Sequence, residues 1–554
     1  MKNQIFTLML CALAAQGADA KVRTTRQMVG EAARVLATKG NTMKAKATGE
    51  LKVLKRESQL SIVGYEGGRC VVIANDDTFK PVLAYYDAVA DGTEVPALNW
   101  WLEAMNKSLD EQLADGVLPY DVERKANYKE SVEPMLKTEW GQGAPFNNLT
   151  PTYTSGSKEE HYVTGCVATA MAQVLKYHEY PTKGKGYNKW LFYPNGKNAD
   201  AVSTRVNFTS TYDWDNMIKS YEGKYTDEQA KAVAILMRDC GGAASMQYAP
   251  NGSGSTNNAA VTGMRKNLKF DYGTKNYIRL YTPKSLWMDI IYEELSEGRP
   301  IMYGGSTSSG GGHEFVFDGY DKDGLVHVDW GWSGKGNGYF DVALLNSQEG
   351  SFSEMQDMIV VRVPGQTNKG YHSMFVTSGV TATVSKNVVN LEGAVIANMD
   401  DMPFTGQIGI MAVNTATGEP AVYVDRKTLK SIGHGYGFKN YSLGFDASTL
   451  SDGEYQLFFA THSTDEDLVE SGWYPVYSNE NIVFNYTLTV ANGKYTVKEG
   501  DSDWYIQTGI KHTAISNNKK TSGAVYSIDG RKLSDDINAM GKGLYIVDGK
   551  KVMK

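Results

Sequence analysis

The hydrophobic pattern changes its period within residues 126–366, and this change limits the folds that the stretch can adopt. In Gly165–Pro181, apolar residues recur at three- and four-residue intervals, which predicts a helix with one buried face. Asp227–Cys240 is also predicted to be helical. Later segments are rich in glycine and typical of strands, for example Glu314–Tyr320 and Leu325–Trp330. Helices followed by an antiparallel sheet favour an α+β fold with two facing lobes.

The 554 residues exceed what one core can use, so we expect further units on either side. Residues 21–125 mix helical and strand-like runs and end near Asp121–Glu130, a polar stretch typical of a linker open to proteolytic cleavage. Residues 367–500 consist of short alternating strands between turn residues, which predicts a β-sandwich. Residues 501–554 contain two hairpin-like units that each turn on an Asp-Gly pair, which predicts a small β module.

The N-terminus is typical of a secretory signal peptide, residues 1–20. Lys2 precedes an apolar run that ends in Ala18-Asp19-Ala20, which predicts cleavage after Ala20. A lipoprotein signal centred on Cys11 fits less well because a large residue precedes that cysteine. We therefore expect a secreted protein, extracellular or at the cell surface.

Composition excludes some partners. The net charge of -7 is mild and there is no basic cluster, so nothing indicates a nucleic-acid partner. No apolar run after the signal peptide is long enough to span a membrane.

Cysteine usage points to chemistry rather than to disulfide bonds. Once Cys11 leaves with the signal peptide, only Cys70, Cys166 and Cys240 remain, and three scattered cysteines are not a disulfide framework. Cys166 lies in the first turn of the predicted helix, where unpaired N–H groups and the helix dipole favour a thiolate. The alternative is a small, buried and inert side chain. Cys240, at a helix end, fits that alternative.

A cysteine nucleophile needs a base, a group that orients the base and donors for the oxyanion. His313 follows a glycine-rich loop and begins a strand, so we expect an accessible imidazole. Asp329 and Trp330 follow across one hairpin: the carboxylate could hold the ring and the indole could exclude water. Gln142 offers a neutral donor for an oxyanion hole beside the Cys166 N–H.

The other histidines fit less well. His178 follows Cys166 by twelve residues on the same helix, about 18 Å along its axis. His327 lies within an alternating strand and is predicted to be structural, and His161 lies in a polar loop. The remaining histidines fall in other units: His372, His434, His462 and His512.

The second unit resembles the streptopain family of secreted bacterial papain-like cysteine proteases. The matching stretches are LKTEWGQGAPFN, TGCVATAMAQVLKYHEYP, DCGGAASMQYAPNGSGS, GGHEFVFDGYD and VHVDWGWSGKGNGYF. The resemblance implies a papain-like fold with a helical lobe and an antiparallel β lobe. It places the nucleophile at Cys166, the general base and acid at His313, and the oxyanion donor at Gln142. The Asn or Asp and the Trp that support the histidine fall on Asp329 and Trp330, and an Asp should hold the imidazolium more strongly.

The resemblance also implies a zymogen whose N-terminal prodomain, here residues 21–125, covers the cleft as an intramolecular inhibitor until proteolysis removes it. Cys70 would leave with that prodomain. The segment Asn251–Ser255 matches a loop that lines the substrate cleft in relatives, so Gly254, Ser255 and Gly312 are candidate substrate-binding residues. Protein or peptide substrates are implied, with broad cleavage and an apolar residue two positions before the scissile bond.

The C-terminal module, residues 501–554, resembles the sorting modules that an outer-membrane secretion system recognises in one group of Gram-negative bacteria. A structural end-cap is the alternative. The preceding sandwich carries no chemical constellation and is expected to serve adhesion or stability.

These observations together predict a secreted cysteine endopeptidase that needs no cofactor or metal. His313-Glu314 lacks the second histidine of a zinc-protease helix. Two alternatives stay open. A Cys-His-Asp site also serves acyl transfer to amines, as in transglutaminases, and the chain could be a binding protein whose papain-like unit is inert.

Overall fold

The computed structural model describes most of the chain in separate stretches. They are residues 22–40, 43–45, 47–88, 95–115, 124–306, 312–344, 356–365, 375–400, 402–464, 472–479, 482–505, 525–526, 532–534, 544–547 and 550–553. The predicted signal peptide and both Asp-Gly turns, Asp529-Gly530 and Asp548-Gly549, lie outside the described residues.

The helices within these stretches are α1 (Thr25–Lys39), α2 (Pro96–Asp115), α3 (Cys166–His178), α4 (Asp227–Ala243), α5 (Asn257–Lys266) and α6 (Lys284–Ser296). The strands before residue 366 are β1 (Lys52–Arg56), β2 (Leu60–Gly64), β3 (Arg69–Ala74), β4 (Val82–Asp87), β5 (Thr152–Ser155), β6 (Lys158–His161), β7 (Tyr187–Phe192), β8 (Val202–Asn207), β9 (Lys275–Ile278), β10 (Ile301–Ser306), β11 (Gly312–Tyr320), β12 (Val326–Asp329), β13 (Gly338–Phe340) and β14 (Asp357–Val360). The later strands are β15 (Phe375–Ser378), β16 (Thr381–Ser385), β17 (Val388–Asn398), β18 (Phe404–Asn414), β19 (Pro420–Ile432), β20 (Gly437–Asp446), β21 (Gly453–Ser463), β22 (Trp473–Pro475), β23 (Tyr477–Ser478), β24 (Asn485–Ala491), β25 (Lys494–Glu499), β26 (Val525–Tyr526), β27 (Lys532–Ser534), β28 (Leu544–Val547) and β29 (Lys550–Met553).

One antiparallel sheet of ten strands crosses the predicted boundary at residue 125. Its order is β1-β2-β3-β4-β13-β12-β11-β10-β14-β9. The first unit supplies β1 to β4, and β4 pairs with β13 of the second unit so that Tyr85 lies opposite Tyr339 and Ala84 opposite Phe340. The two units are therefore joined by backbone hydrogen bonds as well as by side-chain packing.

One face of this sheet carries a hydrophobic cluster to which both units contribute. The helices α2 and α6 cover this face. Trp101 of α2 is 1% exposed and packs edge-on against Phe340, with ring centroids 4.9 Å apart. Trp100, one residue earlier, packs against Phe315 of β11 at 6.1 Å.

The opposite face of the second unit's strands carries the helical lobe. Every residue of α3 from Val167 to Leu175 is buried, because the helix is enclosed between the sheet and α4. Met302 of β10, Val316 of β11 and Ile359 of β14 supply the sheet side of this cluster. The N-terminus of α3 is thereby held against β11. In the first unit, α1 covers the same side of the sheet.

Residues 375–499 form two further sheets, one of order β16-β17-β15-β23 with β20 beside β17, and one of order β19-β18-β21-β24-β25 with β22 beside β21. Apolar side chains from both sheets meet in one cluster. Arg265 of α5 forms a buried ion pair with Asp400 at 3.5 Å, and Asp503 accepts a hydrogen bond from the Ser285 N–H at the start of α6. The Arg265–Asp400 pair therefore ties residues 367–500, the third unit, to the second unit, and the Ser285–Asp503 bond ties the segment just after it.

The α+β class predicted from the sequence is confirmed, with helices on both faces of an antiparallel sheet. In the C-terminal segment the described strands pair in the order β27-β26-β28-β29. Within the described residues, no helix has both the length and the apolar character needed to cross a bilayer.

Replacing Trp101 with alanine should loosen the first unit from the second. Truncating a buried tryptophan costs about 3–5 kcal/mol of the free energy of unfolding, and here the lost contacts join the two units. We expect a lower urea midpoint and faster trypsin cleavage of residues 22–115, measured with Cys166→Ala in both proteins to prevent self-cleavage. Glu103→Ala, an exposed change on the same helix, is the control and should stay within about 0.5 kcal/mol. Equal midpoints for Trp101→Ala and the control would contradict the shared core.

Candidate active site

Gly165 sets the start of α3 and hence the position of Cys166. Its φ of 86° lies in the region that favours glycine, and a Cβ there would lie 2.7 Å from the Ser253 carbonyl oxygen. No side chain caps the helix, so the first N–H groups of α3 are left for other acceptors. The N–H groups of Cys166 and Val167 donate to the Cys166 thiol and lower its pKa.

The Cys166 residue is partly exposed. Burial raises the pKa of the thiol above its ordinary value, and the backbone N–H groups of Glu314, Val167 and Cys166 itself lower the pKa by less. Desolvation therefore outweighs three hydrogen-bond donors and disfavours the thiolate expected at a helix N-terminus.

Cys70 and Cys240 are more deeply buried. Burial raises the pKa of Cys70 to about 11 and holds that of Cys240 well above its usual range. Of the three described cysteines, Cys166 alone is partly exposed.

His313 lies at the start of β11 on the same sheet face as Phe315, and its ring stacks against Phe315 with centroids 6.2 Å apart. Its Nε2 lies 3.0 Å from the carbonyl oxygen of Trp330, so the N–H is donated from Nε2 and the neutral ring keeps its lone pair on Nδ1. Burial lowers the pKa of His313 to about 4, and the Trp330 carbonyl opposes this shift. The neutral ring is thus a base without a proton on Nδ1.

The structure brings Cys166 and His313 to adjacent positions without joining them. The Cys166 thiol accepts from the backbone N–H of Glu314, the residue after His313. Among the described residues, however, no hydrogen bond links the Cys166 sulfur to the His313 ring. Desolvation disfavours the charged form of each group, which raises the pKa of the thiol and lowers that of the imidazole.

Asp329 does not hold the His313 ring in this structure. Asp329 lies opposite Val316 in the β11–β12 ladder and shares its face, whereas His313, three residues before Val316, lies on the other face. The carboxylate instead accepts from the Gly331 N–H at 2.9 Å and from Gln173 Nε2 at 3.2 Å. Asp329 therefore fixes the backbone next to Trp330, whose carbonyl holds the ring.

Two tryptophans border the histidine. Trp330 is fully buried between Phe315 and Phe340, at 4.7 and 5.1 Å, and its indole N–H donates to the Gly336 carbonyl. Trp332, which the sequence analysis did not single out, has its indole nitrogen 3.3 Å from His313 Nε2. The Trp-Gly-Trp motif was the available signal in the sequence.

The remaining candidates lie around the N-terminus of α3. The Gln142 carbonyl accepts from the Thr164 N–H at 3.1 Å, which brings its loop two residues from Cys166. Gly254 is exposed and pairs with Gln247, and the neighbouring Ser255 hydroxyl donates to the Ala244 carbonyl. Ser255 therefore has a structural partner. Gly312 is exposed at the start of β11, beside His313.

The burial of Asp329 gives a testable pH dependence. Burial raises the pKa of this carboxyl from 3.8 to about 6, against the opposing Gly331 N–H and Gln173 amide. The folded protein therefore binds this proton more tightly than the unfolded chain, so the contribution to stability is full below about pH 4 and is lost as pH rises through 6. Asp329→Asn should remove that loss, so the variant's unfolding free energy relative to its parent should rise by about 3 kcal/mol between pH 4 and 7.

Urea unfolding at several pH values, with Cys166→Ala in both proteins, measures this difference. Glu160→Gln on the exposed strand β6 is the control and should show no trend with pH. A difference between Asp329→Asn and its parent that is constant from pH 4 to 7 would show that Asp329 has an ordinary pKa.

Comparison with known proteins agrees with this arrangement. Residues 140–340 match the Peptidase C10 family. The chain is 31% identical over 332 residues to the thiol protease/hemagglutinin PrtT of Porphyromonas gingivalis, a match that covers 56% of this chain and only 37% of that protein. It is 30% identical over 309 residues to streptopain of Streptococcus pyogenes, covering 52% of this chain and 75% of streptopain.

A solved structure is also similar. A fragment of prointerpain A from Prevotella intermedia superposes with a TM-score of 0.51 at 36% sequence identity, covering 56% of this chain and 98% of the fragment. The resemblance to the streptopain family stated from the motifs is thereby confirmed. The chain belongs to the peptidase C10 family of cysteine-type peptidases.

Proposed function

We propose that this protein is a secreted cysteine endopeptidase made as a zymogen, with Cys166 as nucleophile and His313 as general base and acid. One observation carries the proposal. The thiol at the uncapped start of α3 lies beside the strand that bears a histidine, and the carbonyl bonded at Nε2 leaves Nδ1 as the base. A cysteine nucleophile needs such a base with a group that orients it.

The reaction follows from these groups. His313 Nδ1 takes the thiol proton while the sulfur bonds to the substrate carbonyl carbon, and the Cys166 N–H and Gln142 side chain stabilise the oxyanion. His313 then gives its proton to the leaving amine as the peptide bond breaks. Water attacks the thioester with His313 as base, which releases the carboxyl product and restores the thiol. Trp330 orients the histidine through its carbonyl, and Asp329 acts one step further away.

The first unit is positioned to keep this site latent. Gly305 lies opposite His313 in the β10–β11 ladder, and a Cβ on Gly305 would lie 2.4 Å from the Trp100 ring of α2. Trp100 therefore lies directly against the strand pair that bears the histidine. Its packing would add to the burial around His313, whose pKa burial lowers. Removal of residues 21–125 as a prodomain would admit water and favour the thiolate–imidazolium pair.

The substrate cleft, the C-terminal units and the signal peptide are part of the same proposal. Protein or peptide substrates would lie in a cleft near Gly254, Ser255 and Gly312. The third unit, residues 367–500, would be a β-sandwich that stays with the protease, and residues 501–554 would be read by outer-membrane secretion machinery. The signal peptide would be cleaved near Ala20.

Cys166→Ala should abolish self-processing and substrate cleavage together, because no other described cysteine is exposed enough to replace the nucleophile. The protein from Lys21 onward is incubated under reducing conditions with an unfolded protein substrate, and gels and intact mass follow both. We expect wild type to shed about a hundred N-terminal residues and then degrade the substrate, at a rate that falls to background in the variant. Cys240→Ala is the matched control and should remain active. An active Cys166→Ala protein would overturn the assignment.

The contacts after residue 124 support an activation cleavage near residue 125. Lys125 Nζ pairs with Asp289 of α6 at 2.9 Å, the Tyr128 hydroxyl donates to the same carboxylate at 2.8 Å, and the Tyr320 hydroxyl donates to the Lys129 carbonyl at 2.7 Å. These contacts belong to the second unit, whereas α2 ends at Asp115. Mass spectrometry of the processed protein should therefore find a new N-terminus between residues 116 and 125. A terminus beyond Lys129 would show that these contacts belong to the prodomain instead.

A further inference from the structure

Glu314 and Asp357 form a buried carboxyl pair behind Cys166. Glu314 of β11 and Asp357 of β14 both lie opposite Gly304 of the intervening strand β10. Cross-strand partners share a face, so both side chains extend over Gly304. A Cβ at this position would overlap Glu314 Oε2 and Asp357 Oδ1, so the two carboxyl groups meet over a residue that has no side chain.

Neither carboxyl has a cationic partner. Glu314 is 5% exposed, and its Oε1 is buried without a hydrogen-bond partner. Asp357 Oδ2 accepts from Asn276 Nδ2 at 3.3 Å. Within the described part of the chain, no lysine or arginine forms an ion pair with either group. Two adjacent buried carboxylates cannot both ionise cheaply, so the pair retains a proton.

The electrostatics of the pair include the nucleophile. Burial raises the pKa of Glu314, and the charges of Asp357 and Cys166 raise it further. Burial likewise raises the pKa of Asp357. The Glu314 N–H contacts the Cys166 thiol, so a charge on the Glu314 carboxylate is felt at the sulfur.

The other groups that face the pair carry no charge near neutral pH. Tyr303, the residue before Gly304 on β10, lies on the other face of the sheet, where its hydroxyl donates to Gln356. Asn257 of α5 and Asn276 of β9 are neutral amides. The charge behind the thiol is therefore set by the carboxyl pair.

We propose that Glu314 is a positioning residue of the peptidase, which shares one proton with Asp357 and sets how readily Cys166 ionises. While the pair shares one proton, it carries a single negative charge behind the sulfur. When the pair loses that proton as pH rises, a second negative charge lies behind the sulfur and disfavours the thiolate. The catalytic meaning of this device rests on the proposed function, since it acts through the proposed nucleophile.

The test measures the thiol directly and does not require peptidase activity. The precursor from Lys21 onward is treated briefly with iodoacetamide at several values of pH between 5 and 9.5, and peptide mass spectrometry gives the alkylation rate of Cys166. Removing a like charge at this range shifts a pKa by about one unit. Glu314→Gln prevents the second negative charge from forming, so it should move the midpoint of the rate profile down by about one unit, with the rate gain confined to the alkaline end of the range, and Asp357→Asn should shift the midpoint in the same direction.

Asp341→Asn is the matched control, because Asp341 is another buried carboxyl whose pKa is raised but whose acceptor bonds are to the Ala343 and Leu344 N–H groups. A purely structural effect would change the rate by the same factor at every pH and leave the midpoint in place. That result, or profiles of Glu314→Gln and Asp357→Asn that overlay the wild type, would overturn the proposal. Shifted midpoints in a protein without peptidase activity would support the carboxyl pair while refuting the proposed function.

Discussion

The pairing of β4 with β13 is the contact on which the state of the site depends. It makes one ten-stranded sheet out of two units and lets α2 lie on the strands that bear His313. Burial outweighs the helix N-terminus at Cys166 and the carbonyl at His313, so the pKa of the thiol is raised and that of the imidazole is lowered. Under the proposed function, desolvation would keep the pair unreactive, with the backbone geometry of α3 and the Nε2 hydrogen bond already in place.

Much of this arrangement could be predicted from the sequence. The helix at Cys166 follows from apolar periodicity, and the proposed nucleophile and base were suggested by their positions at a helix start and beside a glycine-rich loop. The orientation of His313 could not be predicted, because side-chain contact across a hairpin depends on strand parity. Asp329 was expected at the ring, but its register opposite Val316 turns it to the other face. The continuity of the sheet across the two units could not be predicted from the sequence either, because β4 and β13 are far apart in the chain and their pairing leaves no local pattern.

Glu314 shows that the role of a residue next to the proposed catalytic histidine is difficult to predict from the sequence. In the sequence, His313-Glu314 matched part of a zinc-protease motif that lacked its second histidine. In the fold it faces away from His313, toward the thiol and a second carboxyl, and Gly304 provides the space for both. Adjacent acidic groups without a cation are costly to bury. The proposed role of this pair is to set how readily the neighbouring thiol ionises.

The short length of β13 has a consequence for the protein after the proposed removal of its first unit. Strand β13, Gly338–Phe340, would then become an edge strand, and its backbone donors and acceptors that now pair with β4 would be exposed. Long exposed edge strands can pair with strands of other chains, whereas an edge strand of three residues offers few backbone groups for such pairing. The length of this strand would therefore protect the released enzyme from self-association.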